Sequence, residues 1–333
     1  MRTIVSILIL SSTLTNLFGQ EKYEIIGSVK GLTTNTTLFL EFTDKNDKIL
    51  DSTYVIGENF IFKGQLKSKA VNAIIKTRNY SDYKFFWLEN STIGFNAEKG
   101  KFRESNITGS KTQDEQNGLD QLLKTVSEKE KTSQERRYVR EHPNSIISAY
   151  ILSVYSSTWG KDTTTVLYNR LSDELKNSSY GKSIANFISL NKDIKIGDKY
   201  IDFSQEDTQN KIVKISDFTD KIVLLEFWGS WCGPCRKSNP ELVKIYNEFR
   251  DKGFEIFGVG AETKRELWIK AIEKDKLTWT NVTDLKGDKN EAALIYGVSY
   301  YPTNFLIDKT GTIIARDLKG DKLRKKLKEL LDK

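Results

Sequence analysis

The stretch Leu224–Pro240, LLEFWGSWCGPCRKSNP, holds both cysteines of a 333-residue chain, with only Gly233 and Pro234 between them. A disulfide stabilises mainly by closing a long loop of unfolded chain. This pair closes almost none, so the spacing points to chemistry. Around the pair the hydrophobic period switches in a βαβ manner. KIVLLEFW reads as a continuous apolar strand, PCRKSNPELVKIYNEFRDKG as a helix ending at Gly253, and FEIFGVG as the next strand. Cys232 then falls where strand gives way to helix, and Cys235 one turn further in. Backbone N–H groups at a helix N-terminus favour negative charge, so the Cys232 thiolate should be stabilised. Cys235 should be less exposed and placed to expel a substrate from a mixed disulfide.

Two further features agree with that placement. Glu226 lies on the strand six residues before Cys232, among Leu224, Leu225, Phe227 and Trp228. A carboxylate in so apolar a run costs energy unless it has a partner or a job. Burial would raise its pKa and make it a proton carrier for Cys235; the alternative is an exposed edge residue. Pro302, in VSYYPTNFLID, enters another strand, where a cis bond after Tyr301 would fit. KRELWIKAIEKDK, WTNVTD and KNEAALIYGV supply a crossover helix, a short strand and a further helix. TNFLID and TIIARD form a hairpin ahead of the terminal helix.

Taken together, EFWGSWCGPC and SYYPTNFLID resemble the thioredoxin superfamily. The lead-in KIGDKYIDF and VKISDFTDKIVLLEFWGSWCGPCR are similar to its TlpA/ResA-like branch of extracytoplasmic thiol-disulfide oxidoreductases. The resemblance covers Ile194 to Lys333 and implies an α/β thioredoxin-like fold. It implies a redox-active disulfide between Cys232, the nucleophile, and Cys235, the resolving cysteine. It puts Trp231 beside the motif, Glu226 where thioredoxins keep a buried acid, and Pro302 at the cis-proline facing the disulfide. The Tyr301 backbone would pair with an extended substrate, and Glu262 would be an accessory acid. Members that reduce apocytochromes often carry an acid three residues after the second cysteine. Ser238 stands there, which argues against a strict role in cytochrome c maturation.

Outward from this region the texture changes twice. From Tyr23 to about Thr108, YEIIGSVK, TTLFLEF, KILDSTYVI, NFIFKGQL, VNAIIKT and STIGFNAE alternate with period two between turn signals. Short strands at this spacing predict an all-β, sandwich-like domain over residues 20–110. Trp87 reads as core there. Residues 111–190 form an α-helical region, with Pro143 ending one helix and Asn144 or Ser145 capping the next. His142, the chain's one histidine, lacks the partners a metal site needs. The thioredoxin-like domain is expected over 191–333. At the N-terminus Arg2 and a short apolar run from Ile4 to Leu10 read as a signal peptide over 1–19, cleaved after Gly19. Leu17 fits a cleavage site poorly, so an uncleaved anchor is the alternative. The expected location is the periplasm or cell envelope.

The 52 basic and 45 acidic residues leave a net charge of +7, concentrated in KLRKKLKELLDK at the C-terminus. Leu323, Leu327, Leu330 and Leu331 recur there at helical spacing, which predicts an amphipathic helix with a solvated basic face. Peripheral membrane association is the alternative; no base-stacking motif supports nucleic-acid binding. The function expected is reduction or exchange of protein disulfides. Its partners are disulfide-bearing client proteins and a membrane electron donor, and it needs no cofactor and no metal. Reduction is favoured because a neutral Gly-Pro pair resembles the low-potential thioredoxin motif, about −270 mV, rather than the strongly oxidising DsbA, about −120 mV. A peroxiredoxin-like peroxidase would carry threonine three residues before the reactive cysteine, where Gly229 stands. A non-enzymatic envelope protein handling Cu(I), or otherwise a binding module, is the remaining alternative; two thiols are few ligands for it.

Overall fold

Strand alternation organises the first part of the chain and a strand–helix period the last. The computed structural model describes residues 22–44, 47–218 and 220–332. It divides into two compact units, up to Lys131 and from Thr132. The expected signal peptide lies outside the described residues.

The first unit holds β1 (Tyr23–Lys30), β2 (Thr37–Asp44), β3 (Asp47–Tyr54), β4 (Asn59–Gly64), β5 (Ala70–Thr77), β6 (Tyr83–Glu89), β7 (Thr92–Glu98) and β8 (Asn106–Thr108). They form two four-stranded sheets, β4-β1-β7-β8 and β3-β2-β5-β6. Alternate side chains of both sheets, such as Ile25, Leu40, Phe62, Ile75 and Phe95, meet in one apolar cluster. Helix α1 (Lys111–Lys124) follows, capped by the Ser110 hydroxyl, which accepts from the Gln113 N–H. Gln113 in turn accepts the Trp87 backbone N–H at 2.9 Å, and the Trp87 ring is buried. Strand β6 was not among the six alternating runs read from the sequence. Its burial is continuous over Phe86, Trp87 and Leu88, because α1 covers the face that alternation would leave wet.

Helix α2 (Glu128–Glu141) begins just before the boundary, and the second unit continues with α3 (Ile146–Arg170), α4 (Asp173–Lys176) and α5 (Ser179–Leu190). Ser145 caps α3 by accepting from the Ile147 N–H, and His142 stacks on Tyr138 at 4.3 Å between ring centroids. Helix α3 is broken at Gly160, which sits at φ 79° and ψ 166°; a β-carbon would make that backbone costly. The end of α5 is tied to the next domain element, with the Lys192 N–H on the Ile295 carbonyl at 3.1 Å and Asn191 Nδ2 on the Leu294 carbonyl at 3.1 Å.

Next come β9 (Ser204–Asp207), β10 (Ile212–Lys214), β11 (Ile222–Trp228), α6 (Gly233–Phe249), β12 (Phe254–Gly260), α7 (Arg265–Asp275), β13 (Thr280–Thr283), α8 (Glu291–Ile295), β14 (Thr303–Ile307), β15 (Ile313–Arg316) and α9 (Gly320–Leu331). The seven strands are ordered β10-β9-β13-β12-β11-β14-β15. Strand β11 is central and buried along its whole length, parallel to β12 and antiparallel to β14. Its even-numbered side chains, Leu224 and Trp228 among them, join the cluster under α6, α7 and α9. The odd-numbered ones, Val223, Leu225 and Phe227, join the cluster on the opposite face. Leu323 and Leu327 of α9 are buried in the first of these clusters, so the basic run at the C-terminus has its apolar stripe in the core and its lysines outward. Among the described residues no helix is long and apolar enough to cross a membrane.

Candidate redox site

Cys232 is the residue capping α6. Its backbone is extended and its Sγ accepts the Cys235 N–H at 3.2 Å. Pro234 occupies the first turn, where its missing N–H leaves no bond unmade. The two sulfurs are joined, with the Cα atoms 5.3 Å apart. Cys232 retains 4% of its surface and Cys235 none, so the order of exposure follows the expectation, although Cys232 is itself largely covered. Any attack on Cys232 therefore comes through a narrow opening.

The wall of that opening is aromatic. Trp231 is 59% exposed, with its indole N–H donated to the Ala261 carbonyl at 2.8 Å. Its ring meets the Tyr301 ring edge-on at 5.5 Å. Gly229 permits this: a β-carbon there would lie 2.9 Å from the Trp231 ring. The Tyr301–Pro302 peptide is cis, and Pro302 leads directly into β14. The β11–β14 register pairs Phe227 with Thr303 and Glu226 with Asn304, which carries the Tyr301–Pro302 turn to the end of β11 that precedes the cysteines. Tyr301 packs against the same cluster that contains Cys232 and Cys235. Burial, with Asp288 nearby, pushes its phenol up.

Glu226 shares the face of β11 with Leu224 and Trp228, the face that bears the cysteines. It is 6% exposed, and one carboxyl oxygen, Oε2, has no hydrogen-bond partner. Burial pushes its carboxyl up to about 8, partly opposed by the Asn304 hydrogen bond and the Lys319 charge. Asn304 is fixed by two bonds to Leu318, each at 2.9 Å. Glu226 borders a cavity of about 50 Å³ that also reaches Ser238, Glu241 and Leu242, enough for at least one water. The Ser238 hydroxyl donates to the Cys235 carbonyl at 2.9 Å. Glu226 and Ser238 thus line one small cavity, and Ser238 is bonded to the backbone of Cys235.

Glu262 is buried, but both its oxygens are used. One accepts the Ser230 N–H, and the other the Ser230 hydroxyl at 2.8 Å. Burial raises its pKa, opposed by those two bonds and by Arg236. It pins the loop between β11 and Cys232.

Sequence reasoning missed the group that holds α6 in place. Arg236 grips Asp275 with two nitrogens, the Nη2 contact being 2.7 Å, and Asn239 Nδ2 adds a bond to the same carboxylate at 2.7 Å. Arg236 also donates to the Ser230 carbonyl at 3.2 Å. Burial raises the Asp275 pKa, but the Arg236 and Asn239 bonds outweigh it and hold the carboxyl below its usual range. Asp275 ends α7, 39 residues from Arg236, and no local pattern announces such a pairing. Among the described residues no cluster of three or more His, Cys, Asp or Glu is placed to hold a metal ion.

The AhpC/TSA family model matches residues 196–316, and a domain of unknown function, DUF4369, matches residues 23–116. The thiol-disulfide oxidoreductase ResA of Bacillus cereus is 34% identical over 147 residues, which cover 44% of this chain and 83% of that protein. ResA of Geobacillus thermodenitrificans is 33% identical over 129 residues, covering 39% of this chain and 72% of that protein. Among solved structures, the thioredoxin domain of a thiol-disulfide oxidoreductase from Bacteroides vulgatus is 35% identical. Its TM-score is 0.40, with 41% of this chain and 99% of that one covered. By its identity to the two ResA proteins, each matched over more than two thirds of its own length, the chain belongs to the ResA family of thiol-disulfide oxidoreductases.

Proposed function

We propose that this protein reduces or exchanges disulfides of client proteins outside the cytoplasm, through the Cys232–Cys235 dithiol of its Cys-Gly-Pro-Cys motif. The observation that carries this reading is the position of Cys232 as the capping residue of α6, with its sulfur accepting the Cys235 N–H. A thiolate at that atom receives the same bond and the field of the helix N-terminus. In the reducing direction, the Cys232 thiolate attacks a client disulfide. The client S–S bond breaks and one client sulfur leaves as a thiolate. Cys235 gives up its proton, attacks Cys232 Sγ and releases the second client thiolate. The dithiol is oxidised by two electrons and the client disulfide is reduced by two. Glu226 takes the proton from Cys235 through the cavity at Ser238. Its carboxyl, pushed up to about 8, is matched to that task near neutral pH. Trp231, Tyr301 and Pro302 form the client-facing wall, and Glu262 acts through Ser230 as a positioning residue.

The oxidised form needs re-reduction, so the reading includes a membrane electron donor. It also includes a leader at residues 1–19 removed after Gly19, delivery to the periplasm or envelope, and a β domain over 20–110, a helical region over 111–190 and the redox domain over 191–333. The short apolar run after Arg2 supports the leader. The AhpC/TSA match also fits a peroxidase, against which stands Gly229 at the position where such enzymes carry threonine.

Two experiments test this. Cys235→Ser should trap client proteins as mixed disulfides with Cys232, and Cys232→Ser should trap none. The wild-type protein should reduce insulin disulfides and turn over hydrogen peroxide poorly. Faster peroxide turnover than insulin reduction would replace the reductase reading with the peroxidase one, and trapping through Cys235 would invert the cysteine roles.

A further inference from the structure

Beside the redox site, within the second unit, a cleft of about 310 Å³ runs between helices α3 and α5 on one side and the segment from Asp288 to Tyr301 on the other. Its end wall is Tyr301, the residue whose ring also meets Trp231. Tyr301 thus borders both the cleft and the aromatic pair beside Cys232. The cleft's apolar lining is Phe187 and Val298, both buried, and the half-buried Leu294. Its helical wall carries Ser157, Thr158 and Ser183.

The hydroxyls differ in what they do. Those of Ser153 and Ser156 are used within α3, donating to the Tyr150 carbonyl at 2.7 Å and the Leu152 carbonyl at 2.6 Å. Among the described residues, the hydroxyls of Ser157, Thr158 and Ser183 make no hydrogen bond, and Ser157 and Ser183 are half-buried. Polar groups at a half-covered apolar floor with no internal partner are what a bound polar chain would satisfy. The only charged residues of the lining, Asp288 and Lys289, are adjacent and of opposite sign, so the cleft offers no net charge to an ionic occupant.

We infer that this cleft receives the segment of the client chain that leads away from the cysteine under attack, and that it selects extended, uncharged, hydrogen-bonding sequence there. The inference rests on the disulfide-reductase reading and gives that reading its client chemistry. An extended chain advances about 3.3 Å per residue, so two or three residues carry it past the Tyr301 ring into the cleft. A charged side chain entering over Phe187, Leu294 and Val298 would lose its hydration without a counter-ion. Helices α3 and α5 thus serve as half of a recognition groove whose other half is the redox domain.

The test is single-turnover reduction by the fully reduced, full-length protein of three disulfides. Two are cyclic peptides with one disulfide each, flanked by Ser, Asn and Leu in one and by Glu and Lys in the other. The third is an aryl disulfide, dithiobis-nitrobenzoate, too small to reach the cleft. Wild type should favour the uncharged peptide over the charged one by about tenfold, a difference of about 1.4 kcal/mol. Ser157→Trp fills the cleft, and Thr158→Arg, at an exposed position, puts charge at its wall without disturbing the core. Each should cut the rate on the uncharged peptide about tenfold and leave the aryl disulfide rate unchanged. Unaltered peptide rates in Thr158→Arg, or equal losses on peptide and aryl disulfide, would overturn the cleft assignment and leave the reductase reading standing. A wild-type protein that reduces none of the three would overturn both.

Discussion

Replacing Glu226 by glutamine keeps the shape of a buried side chain and removes its titration. In the folded protein the carboxyl is pushed from 4.5 up to about 8, with burial as the main cause. The folded state therefore holds this proton more tightly than the unfolded chain does. The resulting stability is fully present below the unfolded value and is lost as pH rises through the folded value. Integrated over that window, wild type should lose about 2–3 kcal/mol between pH 5 and pH 7 from this one group, and about 5 kcal/mol in all by high pH. Glu226→Gln shows no such loss. The difference between variant and wild type should thus grow steadily with pH in the variant's favour and level off above the folded value. Denaturant unfolding of the oxidised proteins, in which the cysteines do not titrate, measures this directly. Four of the six tryptophans, Trp228, Trp231, Trp268 and Trp279, lie close to this region in sequence, so their fluorescence reports the relevant unit. A stability difference that stays constant from pH 5 to pH 9 would mean that the carboxyl titrates normally, and the burial argument would fail. The kinetic counterpart is slower release of the mixed disulfide in Glu226→Gln, with attack by Cys232 preserved. General acid–base help is typically worth about 10²–10⁴-fold, and stopped-flow reduction of a peptide disulfide separates the two steps.

Asp275→Ala should destabilise the redox domain by about 3 kcal/mol, since it strands Arg236 and Asn239 beside a largely buried site. Asp275 is held below its usual range, so its contribution is present above the unfolded value and lost as pH falls through the folded one; the variant should unfold less steeply in an acid titration. Trp87→Ala should cost the β-rich unit about 3–5 kcal/mol, read by chemical denaturation, while the rate of insulin reduction stays near wild type.

What could be read from the sequence was what lies close together in it. The strand–turn–helix around Cys232 was legible because apolar run, turn and helical period follow one another within Ile222–Phe249. Glu226 was legible as a buried carboxylate because its neighbours on both sides are apolar. Strand β6 was not legible as a strand, because α1 covers it and its burial is continuous. Helix α2 offered no apolar period at all: Val139 is its one buried residue. The supports of the site were invisible for a different reason. Arg236–Asp275, Glu226–Asn304 and Glu262–Ser230 join residues on separate elements, and register and helix packing decide those meetings. The cleft beside Tyr301 is the extreme case, since its walls come from segments more than a hundred residues apart.

The two buried acids near the disulfide differ in a way that burial alone does not reveal. Both are desolvated, and both carboxyls are raised. Glu262, however, spends its oxygens on Ser230, one on the backbone N–H and one on the hydroxyl. A proton on Glu262 would cost one of those bonds and loosen the loop that sets Cys232. Glu226 keeps Oε2 without a partner and borders a cavity that leads to Ser238, so it can gain or lose a proton without breaking a structural bond. Unpaired buried polar atoms are expensive, about 1–3 kcal/mol each, and a purely structural carboxylate would have had Asn304 or Ser238 close on both oxygens. This contrast supports the proposed roles, in which the acid on β11 moves a proton and the acid after β12 holds a loop still.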